Sequence, residues 1–313
     1  ASYKTLDAYR HPVPYPDSSD PKDNLIDDAR WARQSIATGS LVLIGFALFL
    51  ALNDDSPLDK PEKTATKEPT KTTQGSSGNT NPPSIAVPLA SADQMAENWP
   101  SFRGPTNGVS DANGTSVTWN GKSGEGIAWK TAVPLPGFSS PILWEDRIFL
   151  TGGDKQKREV YCFDSQDGKI LWTHLVTGIP GSPTEAPKVS SDTGYAASTM
   201  TTDGVRVFAI FSTGDLVALD MEGKRVWAKN LGVPKNPYGH SSSLIRHKDV
   251  LLIQYDQDLE EEDKEESFLA AIDVTTGKEK WKVTRDFGPS WASPLLVNTG
   301  ERYEVILAAE KVV

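Results

Sequence analysis

The stretch Gly239-His240-Ser241-Ser242-Ser243 is the chain's nearest approach to a nucleophile on a tight turn. A Gly-x-Ser-x-Gly turn exposes a serine Oγ between a strand and a helix, where a histidine can take its proton. Here Ser243 stands where the second glycine belongs, and the flanking sequence is strand-like. Ser139-Ser140-Pro141 and Ala292-Ser293-Pro294 open apolar runs in the same way, so these hydroxyls read as strand starts. Other chemistry is sparse. His11, His174, His240 and His247 lack metal-ligand spacing. Cys162, the single cysteine, lies in the apolar run Val160-Tyr161-Cys162-Phe163 and reads as a buried, inert thiol. One cysteine also excludes an internal disulfide or a Cys-x-x-Cys site. The glycines between Gly121 and Gly126 have no helix to follow and form no phosphate cradle. The acidic run Asp256–Ser267 lacks the alternating oxygen ligands and central glycine of a calcium loop, and reads as a solvated connection. No residue is assigned a catalytic, cofactor-binding or metal-binding role.

A recurring hairpin organises the chain instead. Asp164, Gly168 and Trp172 recur as Asp220, Gly223 and Trp227, and again as Asp273, Gly277 and Trp281. In every copy the glycine lies four residues before the tryptophan, and a short apolar run precedes the aspartate. Such a run has strand length. Aspartate can bond its own backbone and glycine accepts positive φ, which together make a hairpin turn. The tryptophans then stand at one depth of equivalent strands, where a large indole can pack one unit against the next. Each repeat holds four strand-like runs, which predicts an all-β fold: a β-propeller of four-stranded antiparallel blades, with a β-sandwich as runner-up. Before the first blade, Gly126–Val133 reads as a lone strand carrying Trp129 that completes the last blade. At the other end only two strands of a fourth unit are present, so about three and a half blades are expected and the chain reads as a C-terminally shortened piece of a longer protein.

The hairpins resemble the tryptophan-docking motif, Ala-x-Asp-x-x-Thr-Gly-x-x-x-Trp, of the PQQ-like (quinoprotein alcohol dehydrogenase-like) propeller repeats. Ala270–Trp281 matches it nearly letter for letter, while the second copy is one residue short in the turn. Asn98–Gly108 and Ile127–Gly153 resemble the lead-in segment and first blade of bacterial secreted members, including the propeller lipoprotein of the outer-membrane β-barrel assembly machinery. The family mixes dehydrogenases with assembly scaffolds, so the resemblance implies the fold and leaves the activity open. It implies two functions. One is a binding or assembly scaffold with a protein partner on the propeller rim and no cofactor. The alternative is a dehydrogenase using PQQ with calcium, its site in blades beyond this sequence; the vicinal disulfide of those enzymes cannot form from Cys162 alone. Under either reading Ser140, His240, Ser242, Trp291 and Ser293 are candidates to line a central channel.

The first part of the chain is different material. Residues 1–34 are irregular, with a possible short helix from Asp23 to Gln34. Ser35–Leu52 is an uncharged apolar stretch near the lower limit for a membrane-spanning helix. Arg30 and Arg33 before it, and Asp54, Asp55 and Asp59 after it, favour an N-terminus on the cytoplasmic side. That would put the propeller on the periplasmic face of the cytoplasmic membrane. Residues 53–97, rich in Pro, Thr, Lys and Ser, read as a flexible linker, and 98–313 as the propeller domain. The net charge of −10 argues against a nucleic-acid partner.

Overall fold

The computed structural model describes residues 88–109, 118–258 and 267–309. The apolar stretch Ser35–Leu52, the segment Asp23–Gln34 and most of the acidic run lie outside them. Among the described residues no helix is long and apolar enough to cross a membrane.

Among the described residues the architecture is all-β apart from one short helix. Blade 1 comprises β1 (Ile142–Trp144), β2 (Arg147–Gly153), β3 (Arg158–Asp164) and β4 (Ile170–Leu175). Blade 2 comprises β5 (Thr201–Thr202), β6 (Arg206–Ile210), β7 (Asp215–Asp220) and β8 (Arg225–Asn230). In blade 3 these are β9 (Ile245–His247), β10 (Val250–Tyr255), β11 (Ser267–Asp273) and β12 (Glu279–Arg285). β13 (Leu295–Asn298) and β14 (Tyr303–Ile306) form a two-stranded fourth unit. Within each sheet the strands pair antiparallel in chain order, as propeller blades do.

Both faces of each blade are buried, which explains the continuous apolar runs. Phe149, Val160 and Cys162 face the core between blades 1 and 2, whereas Ile148, Leu150, Tyr161 and Phe163 face the opposite side. In blade 2, Val207 and Ala209 point toward blade 1, and Phe208 and Ile210 toward blade 3. The period-two alternation of a strand thus distributes one run between two interfaces. Cys162 is fully buried, and burial pushes its thiol up to about 12, so it stays protonated and inert.

Two expectations are corrected. Gly126–Val133 forms no strand; it has no ladder partner among the described residues, and a strand needs one to satisfy its backbone. Residues 88–97, grouped with the linker by composition, pack onto the sheets. Ser91 and Gln94 form a capping box at the start of α1 (Ala92–Ala96). Ala90 N–H donates to the Asp203 carbonyl at 3.0 Å, and Leu89, Ala90 and Met95 contact the two inter-blade cores. Leu89, Ala90 and Met95 therefore pack with the blades, not apart from them.

Candidate functional site

The repeated hairpins fasten the blades together. Gly223 approaches the Trp172 indole so closely that a Cβ there would lie 2.6 Å from Cδ2; Gly277 stands over Trp227 with 2.7 Å to the same atom. Both glycines have positive φ, +81° and +69°. Each indole also donates Nε1–H to the residue after the next aspartate: Trp172 to the Met221 carbonyl and Trp227 to the Val274 carbonyl, both at 2.9 Å. Trp129, ahead of blade 1, repeats the arrangement with Gly168 and the Ser165 carbonyl. It does so without being on a strand. The aspartates fold the turns: Asp164 Oδ1 accepts from the Gln166 N–H at 2.6 Å, Asp220 Oδ1 from Lys224 at 2.8 Å and Asp273 Oδ1 from Thr276 at 2.8 Å. A register shift recurs at Cys162/Phe163, Ala218/Leu219 and Ala271/Ile272, as the turn feeds the outer strand. The docking tryptophans are half-buried, not sealed. Trp281 packs with Leu296 and Val305 of the fourth unit against the blade 3 core.

The strand-start hydroxyls have a second structural use that sequence reasoning missed. Ser140 N–H donates to Thr199 Oγ1 at 2.9 Å, Thr199 N–H to Ser243 Oγ at 3.3 Å, and Ser243 N–H to Ser293 Oγ at 3.0 Å. One residue earlier, Ser198 Oγ donates to the Ser242 carbonyl at 2.8 Å and Ser242 Oγ to the Ala292 carbonyl at 3.1 Å. These bonds run blade to blade around the inner rim. Ser242 is therefore a staple: its hydroxyl donates to a backbone carbonyl and, among the described residues, makes no hydrogen bond to a base of the kind a nucleophile would require.

Inside this rim lies a cleft of about 1160 Å³. Ser140, Trp291 and Ser293 line it. His240 and Ser242 do not. They belong to a separate, small polar pocket with Gln254, Tyr255, Asp256 and Ser290. His240 is 4% exposed, stacks edge-on against Tyr255 with centroids 5.2 Å apart, and has no hydrogen-bond partner at Nε2. The reason is the preceding turn: Gly239, at φ +62°, stands against Ser212 of blade 2 and sends the histidine into the blade interface.

Burial drives the His240 imidazole down to about 4. It pushes the Asp256 carboxyl up to about 6, against the opposing pull of Arg285, 3.2 Å away, and of the Gln254 amide. These shifts act in one pH window with opposite signs. The depressed His240 makes stability fall as pH drops from about 6.5 toward 4, because the unfolded chain takes the proton first. The raised Asp256 makes stability fall as pH rises from about 4 toward 6, because the folded chain holds the extra proton. Each is worth roughly 3 kcal/mol at full development, so they largely cancel. His240→Phe should therefore add a loss of stability with rising pH across this window, and Asp256→Asn a loss with falling pH. Urea midpoints at several pH values test it. Variant slopes parallel to the parent's would show that neither group is buried as described.

Among the described residues no three His, Cys, Asp or Glu side chains are grouped to hold a metal ion.

No curated protein sequence matches the chain. Solved structures do, distantly. Quinohemoprotein alcohol dehydrogenase from Comamonas testosteroni is 17% identical over 48% of this chain and 21% of its own, with a TM-score of 0.35. BamB from Moraxella catarrhalis is 18% identical over 51% of this chain and 43% of its own, at 0.36. Quinohemoprotein alcohol dehydrogenase ADHIIG from Pseudomonas putida HK5 is 21% identical over 62% and 27%, at 0.39. The chain thus spans less than half the length of each, and these overlaps carry no functional argument. The sequence comparison is firmer. Residues 89–289, well over half the chain and beginning where the packed lead-in begins, match the family profile of outer membrane protein assembly factor BamB, and the chain belongs to that family of PQQ-like propeller proteins.

Proposed function

We propose that the chain is a membrane-tethered binding or assembly scaffold whose propeller lies outside the cytoplasmic membrane. The observation that carries the binding role is the use made of the polar residues around the cleft. Ser140, Thr199, Ser243 and Ser293 are joined to one another, which leaves a wide surface held by the blades and, among the described residues, no nucleophile–base pair beside it. Membership of the family supports the same reading. The donor chemistry does not fit a quinone with calcium: Cys162 is single and fully buried between blades, and no cluster of acidic ligands stands by the cleft among the described residues.

The tether rests on the uncharged stretch Ser35–Leu52 and the Pro- and Thr-rich segment after it. A tether raises the effective concentration of the propeller for partners at the same surface, which suits a scaffold. The full chain should fractionate with membranes and resist alkaline carbonate, while a chain beginning at Leu89 stays soluble. Release of the full chain by carbonate would remove the tether from this proposal. For the binding role, titrating the full chain with PQQ and calcium should give no saturable change in tryptophan fluorescence and no dye-linked alcohol oxidation. Saturable quenching with turnover would replace the scaffold by the dehydrogenase.

A further inference from the structure

We infer that the cleft takes an extended acidic peptide segment of a partner protein, laid along the inner edge of β9. This deepens the scaffold reading and rests on it. The first ground is charge. Among the described residues the cleft is lined by Arg103, Arg246 and Lys248 and by one carboxylate, Asp249, which is already bound by Lys280. In a chain of net charge −10 this is a local reversal of sign. At physiological salt, charges more than about 8 Å away are largely screened, so the residues in the cleft decide what binds there.

Two of the cations are held without a carboxylate. Arg246 stands in the middle of β9, makes one hydrogen bond from Nη1 to the Lys248 carbonyl, and has a buried Nε with no partner. Asp203 acts on it electrostatically, but that carboxylate is fully engaged by Arg206 at 2.8 and 2.9 Å. Arg103 lies over the Phe102 ring, 5.3 Å from its centroid, at a backbone φ of +64° that a non-glycine residue rarely adopts. No ion pair to it occurs among the described residues. A buried guanidinium nitrogen left unpaired is costly, and a carboxylate oxygen is its natural complement.

The second ground is the backbone. β9 is the terminal strand of its sheet, so one edge has no strand beside it among the described residues. The chain shows what such an edge accepts. At the equivalent strand of blade 1, the lead-in makes a one-residue antiparallel bridge to β1: Trp99 N–H donates to the Leu143 carbonyl at 3.1 Å and Leu143 N–H to the Trp99 carbonyl at 2.8 Å. Strand addition supplies affinity through main-chain bonds, and side-chain pockets supply selectivity. The third ground is the apolar lining. Trp291 is 45% exposed and braced edge-on by Tyr238 at 4.7 Å, and Phe138 is 52% exposed. The occupant is thus a strand alternating carboxylates with apolar side chains. The volume, about 1160 Å³, exceeds the usual range for small-molecule pockets and suits a peptide.

The test uses the full chain in detergent with three short fluorescent peptides: glutamate alternating with leucine and phenylalanine, and the same peptide with lysine or glutamine in place of glutamate. Anisotropy titrations should give saturable binding of the glutamate peptide, with the other two at least about tenfold weaker at physiological salt. Arg246→Glu and Arg103→Glu should each weaken the glutamate peptide by about tenfold or more. Arg246→Gln, which keeps the length without the charge, should fall between. Lys278→Glu, exposed on the outer hairpin, should match the parent. Equal binding of the lysine peptide, no saturable binding of the glutamate peptide, or parental affinity in both charge-reversal variants with unchanged circular dichroism would overturn the inference. Those results leave the scaffold reading standing. Dye-linked turnover with PQQ and calcium would instead remove the scaffold reading itself.

Discussion

Gly277→Ala is expected to destabilise the propeller by about 2–5 kcal/mol. Roughly 1–2 kcal/mol arises because alanine at φ +69° must hold a left-handed backbone. The rest, about 1–3 kcal/mol, is overpacking, since the new methyl would stand 2.7 Å from Trp227 Cδ2. Trp227→Ala should cost about 3 kcal/mol, the lower end for a large aromatic because the ring is only half-buried. It also leaves the Val274 carbonyl without the indole donor. The decisive measurement is the double variant. Once the indole is gone the methyl has room, so the pair should lose less than the sum of the singles by about 1–3 kcal/mol. Additive denaturant midpoints would mean that the glycine and the indole are not in contact across the blade interface.

Asp215→Ala should cost about 3–5 kcal/mol, because it strips a shared acceptor from the junction of blades 1 and 2. The carboxylate is 1% exposed and accepts from Ser182 Oγ at 2.8 Å, Thr213 Oγ1 at 2.7 Å and Asn230 Nδ2 at 2.8 Å. Arg158 of the neighbouring blade lies 3.5 Å away. Removing the acceptor strands three donors and a largely buried guanidinium at once, which is the expensive way to break a buried pair. Arg158→Met in the Asp215→Ala background should recover part of the loss, since no cation then remains to be desolvated. A chemical-denaturation change below about 1 kcal/mol for Asp215→Ala would show that water replaces the carboxylate and that the junction is open.

The repeat hairpins were legible because everything they need is local. Aspartate, glycine and tryptophan lie within nine residues, the turn chemistry is set by those residues, and the spacing survives even where the second turn is one residue shorter. From them followed the four-stranded units, their antiparallel order and the interface on which each indole sits. Trp129 was visible too, but Gly126–Val133 forms no strand among the described residues: an extended segment becomes a strand only when another backbone lies beside it.

The inner rim was a different matter. Ser140, Ser242 and Ser293 were singled out as channel residues, yet their bonds across the blades, to Thr199, Ala292 and Ser243 respectively, could not be read. Partners around the rim are 59, 44 and 50 residues apart, because loops of unequal length separate equivalent positions and hide the period. His240 looked like a channel residue for the same reason. Whether its ring faced the cleft or the blade interface depended on one left-handed glycine packed against Ser212 of another blade. By itself the sequence determined the repeating unit, since a hairpin is closed by its own neighbours. The tertiary structure alone decided which side chains hold the blades and which face the cleft, since those roles depend on residues that only the stacking of blades brings together.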